Sequence, residues 1–99
     1  LRTGGGMSAR LSGLTIGALT LTPAFDPDTT EYTATTTNAT NTVTATPEDA
    51  SATVTILNGE TPVENGTAAT WATGANTLTV NVKNGTAEKV YTVTVTKSA

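Results

Sequence analysis

Residues 76–97, NTLTVNVKNGTAEKVYTVTVTK, decide the fold of this chain, because they read as two strands joined by a turn. Apolar and polar residues alternate on both sides of the dipeptide Asn84-Gly85, a pattern that predicts strands with one face in a core and the other in water. Asn-Gly favours a hairpin of type I′, since both residues tolerate positive φ. A loop at Asn84-Gly85 pairs Val82 with Ala87, and this register predicts that the apolar side chains of both strands share one face.

The composition of the 99-residue chain argues against several classes of function. Charged residues make up only 13% of the sequence and the formal net charge is −3, which argues against nucleic acid as a partner, because its phosphates bind clustered cations. Neither Cys nor His occurs, so the strongest nucleophile and the commonest general base are missing. We therefore predict no enzyme, no catalytic residue, no cofactor and no metal site. The basic residues are scattered along the chain: Arg2, Arg10, Lys83, Lys89 and Lys97.

The first ten residues differ in composition from the rest of the chain. Residues 4–6 are all glycine, and no apolar run typical of a signal peptide accompanies them. We predict that residues 1–10 form a flexible tail, either a native linker or a cloning remnant ahead of Met7, and that one domain covers residues 11–97. No segment approaches the ~20 consecutive apolar residues of a membrane span, so no membrane partner is expected.

Short alternating segments separated by Gly, Pro, Asn and Asp continue through the remaining sequence. Their spacing of about 8–12 residues, without a helical period, is typical of a β-sandwich. We predict an all-β fold of about seven strands, arranged as two packed sheets of sequential antiparallel strands. The predicted segments before the final hairpin are residues 11–16 with a continuation at 19–21, then 31–37, 42–46, 53–57, 61–63 and 67–72.

An ordered set of these segments resembles the bacterial cadherin-like β-sandwich domain. The most specific parts are residues 21–27, LTPAFDP, followed by Tyr32, and residues 74–76, GAN, ahead of the hairpin. The resemblance implies an immunoglobulin-like, cadherin-like antiparallel β-sandwich in which Phe25, between two prolines, plugs one end. It extends from residue 11 to residue 97 and also includes residues 11–16, 46–47, 52–54 and 91–95.

The resemblance also implies a function. Domains of this family are repeated, non-catalytic modules of bacterial surface and secreted proteins, and they occur in phage structural proteins. We therefore expect a structural or adhesive module that spaces or displays other domains, located outside the cell, on its surface or, alternatively, in a virion. Its expected partners are the neighbouring domains of a parent protein and a cell-surface glycan or protein, and the isolated chain is expected to be a monomer.

Two acidic groups are candidate ligands for calcium. Asp26, Asp28 and Glu31 lie close together in sequence, and Glu48-Asp49 forms a second pair. Calcium requires hard oxygen ligands of this type. However, Asp-Pro-Asp is ordinary turn chemistry, and no motif of the calcium-binding cadherins is present. We predict turns and solvated surface here, and no metal-dependent stability.

The single tryptophan, Trp71, has two interpretations. Its large apolar area favours a place in the core. On an exposed strand face, with Tyr32 or Tyr91 nearby, it would instead stack on a sugar ring, which makes a carbohydrate-binding module the alternative function.

Three segments match the acceptor pattern for N-glycosylation, beginning at Asn38, Asn65 and Asn84. Each lies at a predicted turn, where Asn is expected for its backbone conformation alone. In a sequence rich in Thr and Asn these matches arise by chance, so they carry no functional assignment.

The alternation and the hairpin register together predict the core and the position of the chain ends. An odd number of antiparallel strands, about seven, would leave the two ends of the domain far apart. The core is predicted to contain Leu14, Ile16, Phe25, Tyr32, Val43, Val54, Ile56, Trp71, Leu78, Val80, Val82, Tyr91, Val93 and Val95.

Overall fold

A computed structural model describes residues 8–98 of the chain. Within this range the protein has eight strands and no helix, which confirms the predicted all-β sandwich and adds one strand to the expected number. The strands are β1 (Leu11–Ile16), β2 (Glu31–Thr36), β3 (Thr40–Pro47), β4 (Thr53–Asn58), β5 (Thr61–Val63), β6 (Thr67–Thr70), β7 (Gly74–Asn84) and β8 (Ala87–Lys97).

The strands form two sheets that enclose one hydrophobic core. The smaller sheet has the order β1-β3-β6, and the larger has the order β2-β8-β7-β4-β5. The predicted core is confirmed except at Phe25 and Val54, which are only partly buried and pack against its margin. The structure also buries apolar residues outside the predicted core: Ala9, Leu11, Leu21, Ala34, Ala45 and Ala69.

One pair of neighbouring strands is parallel, and the prediction of a wholly antiparallel sandwich is therefore wrong there. β2 lies beside β8 from Glu31↔Thr92 to Thr36↔Lys97, with both strands running in the same direction. The cause is the segment of residues 17–30, which leaves β1 in the smaller sheet and crosses to the edge of the larger one. We call this segment the crossover. It runs back along the domain to the level at which β1 begins, and β2 starts there.

The hairpin of β7 and β8 has the predicted faces but a different register. Asn84, rather than Val82, pairs with Ala87, so the loop consists of Gly85 and Thr86. Gly85 has a φ of 61° and Thr86 does not have a positive φ, which is the sign pattern of a type II′ turn and contradicts the predicted type I′ turn. The register differs from the prediction by an even number of residues, and the apolar side chains consequently keep their common face.

The predicted continuation of β1 at residues 19–21 is not a strand. Gly17 turns the chain with a φ of 55°, and a Cβ atom there would lie 2.7 Å from Nδ2 of Asn41, so both backbone and space require glycine. Beyond this turn the crossover forms one isolated antiparallel β-bridge, between Thr22 and Thr33.

The first and last described residues lie at opposite ends of the domain, as predicted. Ser8 contacts Asn84 at the β7–β8 turn, whereas Ser98 donates its backbone N–H to the carbonyl of Thr36 at the far end of β2. The domain measures 54 × 24 × 17 Å. The expected reason, an odd number of strands, is wrong. The eight strands and the crossover together make nine passes along the domain, and successive passes run in opposite directions. The first and last strands, β1 and β8, therefore run in the same direction.

Packing begins earlier than the predicted domain start at Leu11. Ala9 is 7% exposed and belongs to the core, and the N–H of Glu48 donates to the carbonyl of Arg10. The rest of the predicted flexible tail, residues 1–7, lies outside the described residues.

Candidate functional site

An aromatic plug fastens the crossover to the larger sheet. Phe25 stacks on Tyr32 with ring centroids 6.0 Å apart and an angle of 18° between the rings. It also contacts Tyr91, with centroids 6.5 Å apart and an angle of 34°. Pro23 and Pro27 lack the N–H groups that a ladder needs, so side-chain contacts take over the role of strand pairing in this segment.

The hydroxyl groups of the two tyrosines complete the plug. The Tyr32 hydroxyl accepts the N–H of Asp26 at 2.9 Å and donates to the carbonyl of the same residue at 2.7 Å. The Tyr91 hydroxyl accepts the N–H of Leu11 at 3.0 Å and donates to the carbonyl of Pro27 at 2.6 Å. Burial raises the pKa of Tyr91 above its ordinary value. One buried phenol therefore joins β1, the crossover and β8.

A second polar cluster fixes the start of the chain. We call Ser8, Glu48, Asp49 and Asn84 the N-terminal clasp. The side-chain amide of Asn84 donates to the carbonyl of Ser8 at 3.1 Å and to Oδ2 of Asp49 at 3.0 Å. The hydroxyl of Ser8 donates to Oε1 of Glu48 at 2.8 Å. Asn84 is 7% exposed, so its hydrogen bonds are shielded from water.

Asp49 organises the loop on its own side of the clasp. Its Oδ1 accepts the N–H of Ser51 at 3.0 Å and the hydroxyl of Ser51 at 2.8 Å. These two hydrogen bonds, together with the one from Asn84, lower the pKa of Asp49. Because the folded state favours the charged carboxylate, this contribution to stability is present above the ordinary pKa and is lost as the pH falls through the lowered one.

The structure places one residue from each of the two acidic groups, Asp28 and Glu48, beside Arg10 rather than around a shared cation site. Asp26 Oδ1 accepts the N–H of Asp28 at 2.8 Å, closing the turn that its sequence predicts. The carboxylate of Asp28 lies 3.3 Å from Nε of Arg10, without the alignment of a hydrogen bond, and Glu31 is exposed on β2. Among residues 8–98, no three Asp or Glu side chains come together in a group that could hold a metal ion.

We predict that calcium does not stabilise this domain. Asp26 and Asp28 are already engaged by backbone or by Arg10, so binding would have to disrupt existing contacts. Thermal unfolding followed by circular dichroism should give the same Tm in millimolar calcium, in millimolar magnesium and with a chelator. A Tm that rises by many degrees with calcium alone and returns with the chelator would contradict this prediction.

Trp71 lies in the core, which contradicts the interpretation of its ring as a platform for a sugar. It is 4% exposed, and its indole N–H donates to Oδ1 of Asn41 at 2.9 Å. Tyr32 and Tyr91, the proposed neighbours on such a platform, are buried in the plug instead. A stacking surface requires an exposed ring face, and none of these three aromatic side chains provides one.

The emission of Trp71 is expected to be blue-shifted and resistant to quenching by acrylamide or iodide, because the indole is shielded on both faces. Fluorescence of the folded chain and of the chain in denaturant makes the comparison, since this is the single tryptophan. Emission near that of free indole, with full quencher access, would contradict the core position.

The three glycosylation patterns occupy different environments. The carboxamide of Asn65 accepts the N–H of Ala45 at 2.9 Å and donates to the carbonyl of Ala45 at 2.7 Å. Asn84 is committed to the N-terminal clasp, and Asn38 is exposed. A sugar on the amide nitrogen of Asn65 or Asn84 would replace these hydrogen bonds, so a turn role explains both residues better than modification.

Threonine side chains line much of two depressions on the surface of the described residues. One lies beside the end of β2, where Thr35, Thr36 and Thr37 meet Leu19 and Ser98. The other lies on the outer face of β2 and β8, next to Pro23 and Glu31. Glu31 is the acidic residue in the second depression, and among the described residues its carboxylate accepts no hydrogen bond from a Thr hydroxyl that it could activate.

The sequence did not predict that the four residues of the clasp come together, although Glu48 and Asp49 were considered as calcium ligands. Ser8 fell in the predicted tail, and Asn84 was assigned to a loop. The only available signal was Asn before Gly at the end of a strand, which has the same appearance whether the side chain faces solvent or the protein.

The two packed sheets, the plug and the separated ends define a β-sandwich module. A family model described as the cadherin-like beta sandwich domain matches residues 16–98, and the chain therefore belongs to that family. No match was found among the curated proteins. Domains of this family serve as structural or adhesive modules, are generally non-catalytic and are typically extracellular. No helix of residues 8–98 has the length and apolar character needed to cross a membrane.

Proposed function

We propose that this domain is a spacer in a larger bacterial surface or secreted protein, holding the domains before and after it at a fixed separation. The observation that carries the proposal is the position of its ends, because Ser8 lies beside the β7–β8 turn and Ser98 lies beyond the opposite end of β8. A module of this shape adds its own length to any chain in which it is inserted.

The attachment of both ends supports a spacer that sets direction as well as distance. Ser8 is held in the N-terminal clasp at one extreme. At the other, Ser98 donates its N–H to Thr36 at 2.9 Å, directly after β8 ends. The chain therefore joins and leaves the sandwich at defined points, and its partners are the neighbouring domains.

The test is to join two and three copies of residues 1–99 in one chain and to measure their maximum dimension by small-angle X-ray scattering. A spacer extends the particle by about the length of one domain with each added copy. A maximum dimension that barely changes with copy number would mean that the copies fold back side by side, and would contradict the proposal. Asn84→Ala copies serve as the control, since a loosened clasp should leave each sandwich intact but broaden the distribution of distances.

We also propose that the single domain is monomeric and acts outside the cell. Multi-angle light scattering of the isolated chain should then give a mass near 10.0 kDa. A stable trimer at micromolar concentration would point to a virion decoration protein instead. Antibodies against the domain should label intact cells before permeabilisation, and labelling only after lysis would contradict the proposed location.

A further inference from the structure

We propose that this domain is built to carry tension between its two ends, with the parallel pair β2–β8 as its mechanical clamp. The inference rests on the proposed spacer function, since a spacer in a surface protein is pulled from both ends. It depends on the direction in which load reaches the hydrogen bonds, which the topology fixes.

The last strand is gripped on both sides along much of its length. β8 lies between β2 and β7 in the larger sheet. Its final residue, Lys97, pairs with Thr36 on one side and with Gly74 on the other. A pull on the C-terminal end is directed along β8, so the ladder bonds on both sides resist sliding together.

The first strand is held less firmly than the last. β1 is an edge strand that pairs only with β3, through five residue pairs interrupted by a bulge between Leu11 and Gly13. When β1 yields, the load passes through the crossover to β2. The clamp is then the next element in the path of the force.

The parallel orientation of β2 and β8 makes the pair resistant. The chain enters β2 beside Thr92, about halfway along β8, and leaves β8 at its far end, so tension pulls the two strands lengthwise past each other. The six residue pairs from Glu31↔Thr92 to Thr36↔Lys97 share this load. In an antiparallel hairpin pulled at its open end, the pairs would instead break one after another.

A further backbone hydrogen bond lies at each end of the pair. The N–H of Thr92 donates to the carbonyl of Thr30 at 2.7 Å, and the N–H of Ser98 donates to the carbonyl of Thr36 at 2.9 Å. On the opposite edge of β2, Thr33 exchanges hydrogen bonds with Thr22 of the crossover at 2.8 and 2.9 Å. The crossover therefore secures β2 from its outer side while β8 occupies its inner side.

The experiment applies force in two directions to the full-length chain. Because the sequence has no Cys, a pair of introduced cysteines gives unambiguous handles. Glu31→Cys with Thr96→Cys pulls β2 and β8 lengthwise. Ala75→Cys with Thr96→Cys pulls apart two opposed residues at the open end of the β7–β8 hairpin. All three side chains are exposed, so both variants should fold.

In single-molecule force measurements, the lengthwise pair should rupture at about twice the force of the hairpin pair or more, since several ladder pairs break together rather than singly. Equal rupture forces in the two directions would overturn the proposal. Circular dichroism and thermal unfolding of both variants show that each is folded before it is pulled. Failure of the clamp leaves the scattering test of the spacer unaffected, so the two proposals fail separately.

Discussion

Leu78→Ala is expected to lower the free energy of unfolding by about 2–5 kcal/mol, the cost of removing a buried leucine and leaving a cavity. Leu78 is 0% exposed and lies on β7, opposite Val93 of β8 and Asn58 of β4. It therefore lies on the core face of the middle strand of the larger sheet. The strands on either side cannot move into the cavity that the substitution leaves without losing their register with β7. Equilibrium unfolding in urea, followed by circular dichroism, measures the change.

Thr77→Ala is the matched control for this substitution. Thr77 is the preceding residue of the same strand, and it is exposed on the outer face, opposite Thr94. Its replacement should change the free energy of unfolding by no more than about 0.5 kcal/mol. Similar losses at residues 77 and 78 would show that the assignment of the two faces is wrong.

Tyr91→Phe is the second substitution with a large expected effect. It keeps the ring but removes the hydroxyl, leaving the N–H of Leu11 and the carbonyl of Pro27 without their partner. A buried polar group left unpaired costs about 1–3 kcal/mol, so the loss in urea denaturation should be well above that of a surface change. Thr94→Val removes a hydroxyl from the outer face of the same strand and should cost about 0.5 kcal/mol or less.

Tyr91 should also make the domain less stable at alkaline pH. Burial raises the pKa of its phenol in the folded state above the ordinary value of 10.0. The folded domain therefore keeps this proton when the unfolded chain has released it, and stability declines as the pH rises above about 10. Urea midpoints measured from pH 8 to pH 11 should fall less steeply in Tyr91→Phe than in the unmodified chain. Parallel declines would show that Tyr91 does not contribute to the alkaline loss.

The faces of the strands could be predicted from sequence because they depend on local alternation. Val80, Val82, Val93 and Val95 are all 0% exposed, as the pattern of β7 and β8 requires. Small residues were harder to place. Ala45 is 2% exposed on β3, but alanine is common on either face of a strand and so carries little information about burial.

The hairpin register could not be settled by the turn residues alone. Asn-Gly fits a type I′ loop when Asn is its first residue, and it fits a type II′ loop when Gly is first and Asn ends the strand. The difference lies in what the Asn side chain contacts. Asn84 is buried and bonded to Ser8 and Asp49, residues distant in sequence whose proximity arises only in the folded state.

The parallel pairing of β2 with β8 could not be predicted from local sequence patterns, because it too joins residues that are distant in sequence. Its residues are separated by most of the domain, and alternation is identical in parallel and antiparallel half-buried strands. The motif at residues 21–27, with its two prolines, argues against a continuous strand there. It did not indicate which edge of the larger sheet the chain would reach.

The carboxamide of Asn65 covers an exposed part of the edge of the smaller sheet. The pairing of β3 with β6 ends at Val43. Beyond that residue, the N–H and carbonyl groups of Ala45 face the edge of the sheet without a partner strand. The carboxamide of Asn65 accepts the N–H of Ala45 and donates to its carbonyl, as the peptide group of a partner strand would. An unpaired edge of a sheet is a template for pairing with a strand of another chain. A single asparagine therefore shields this part of β3 from such pairing.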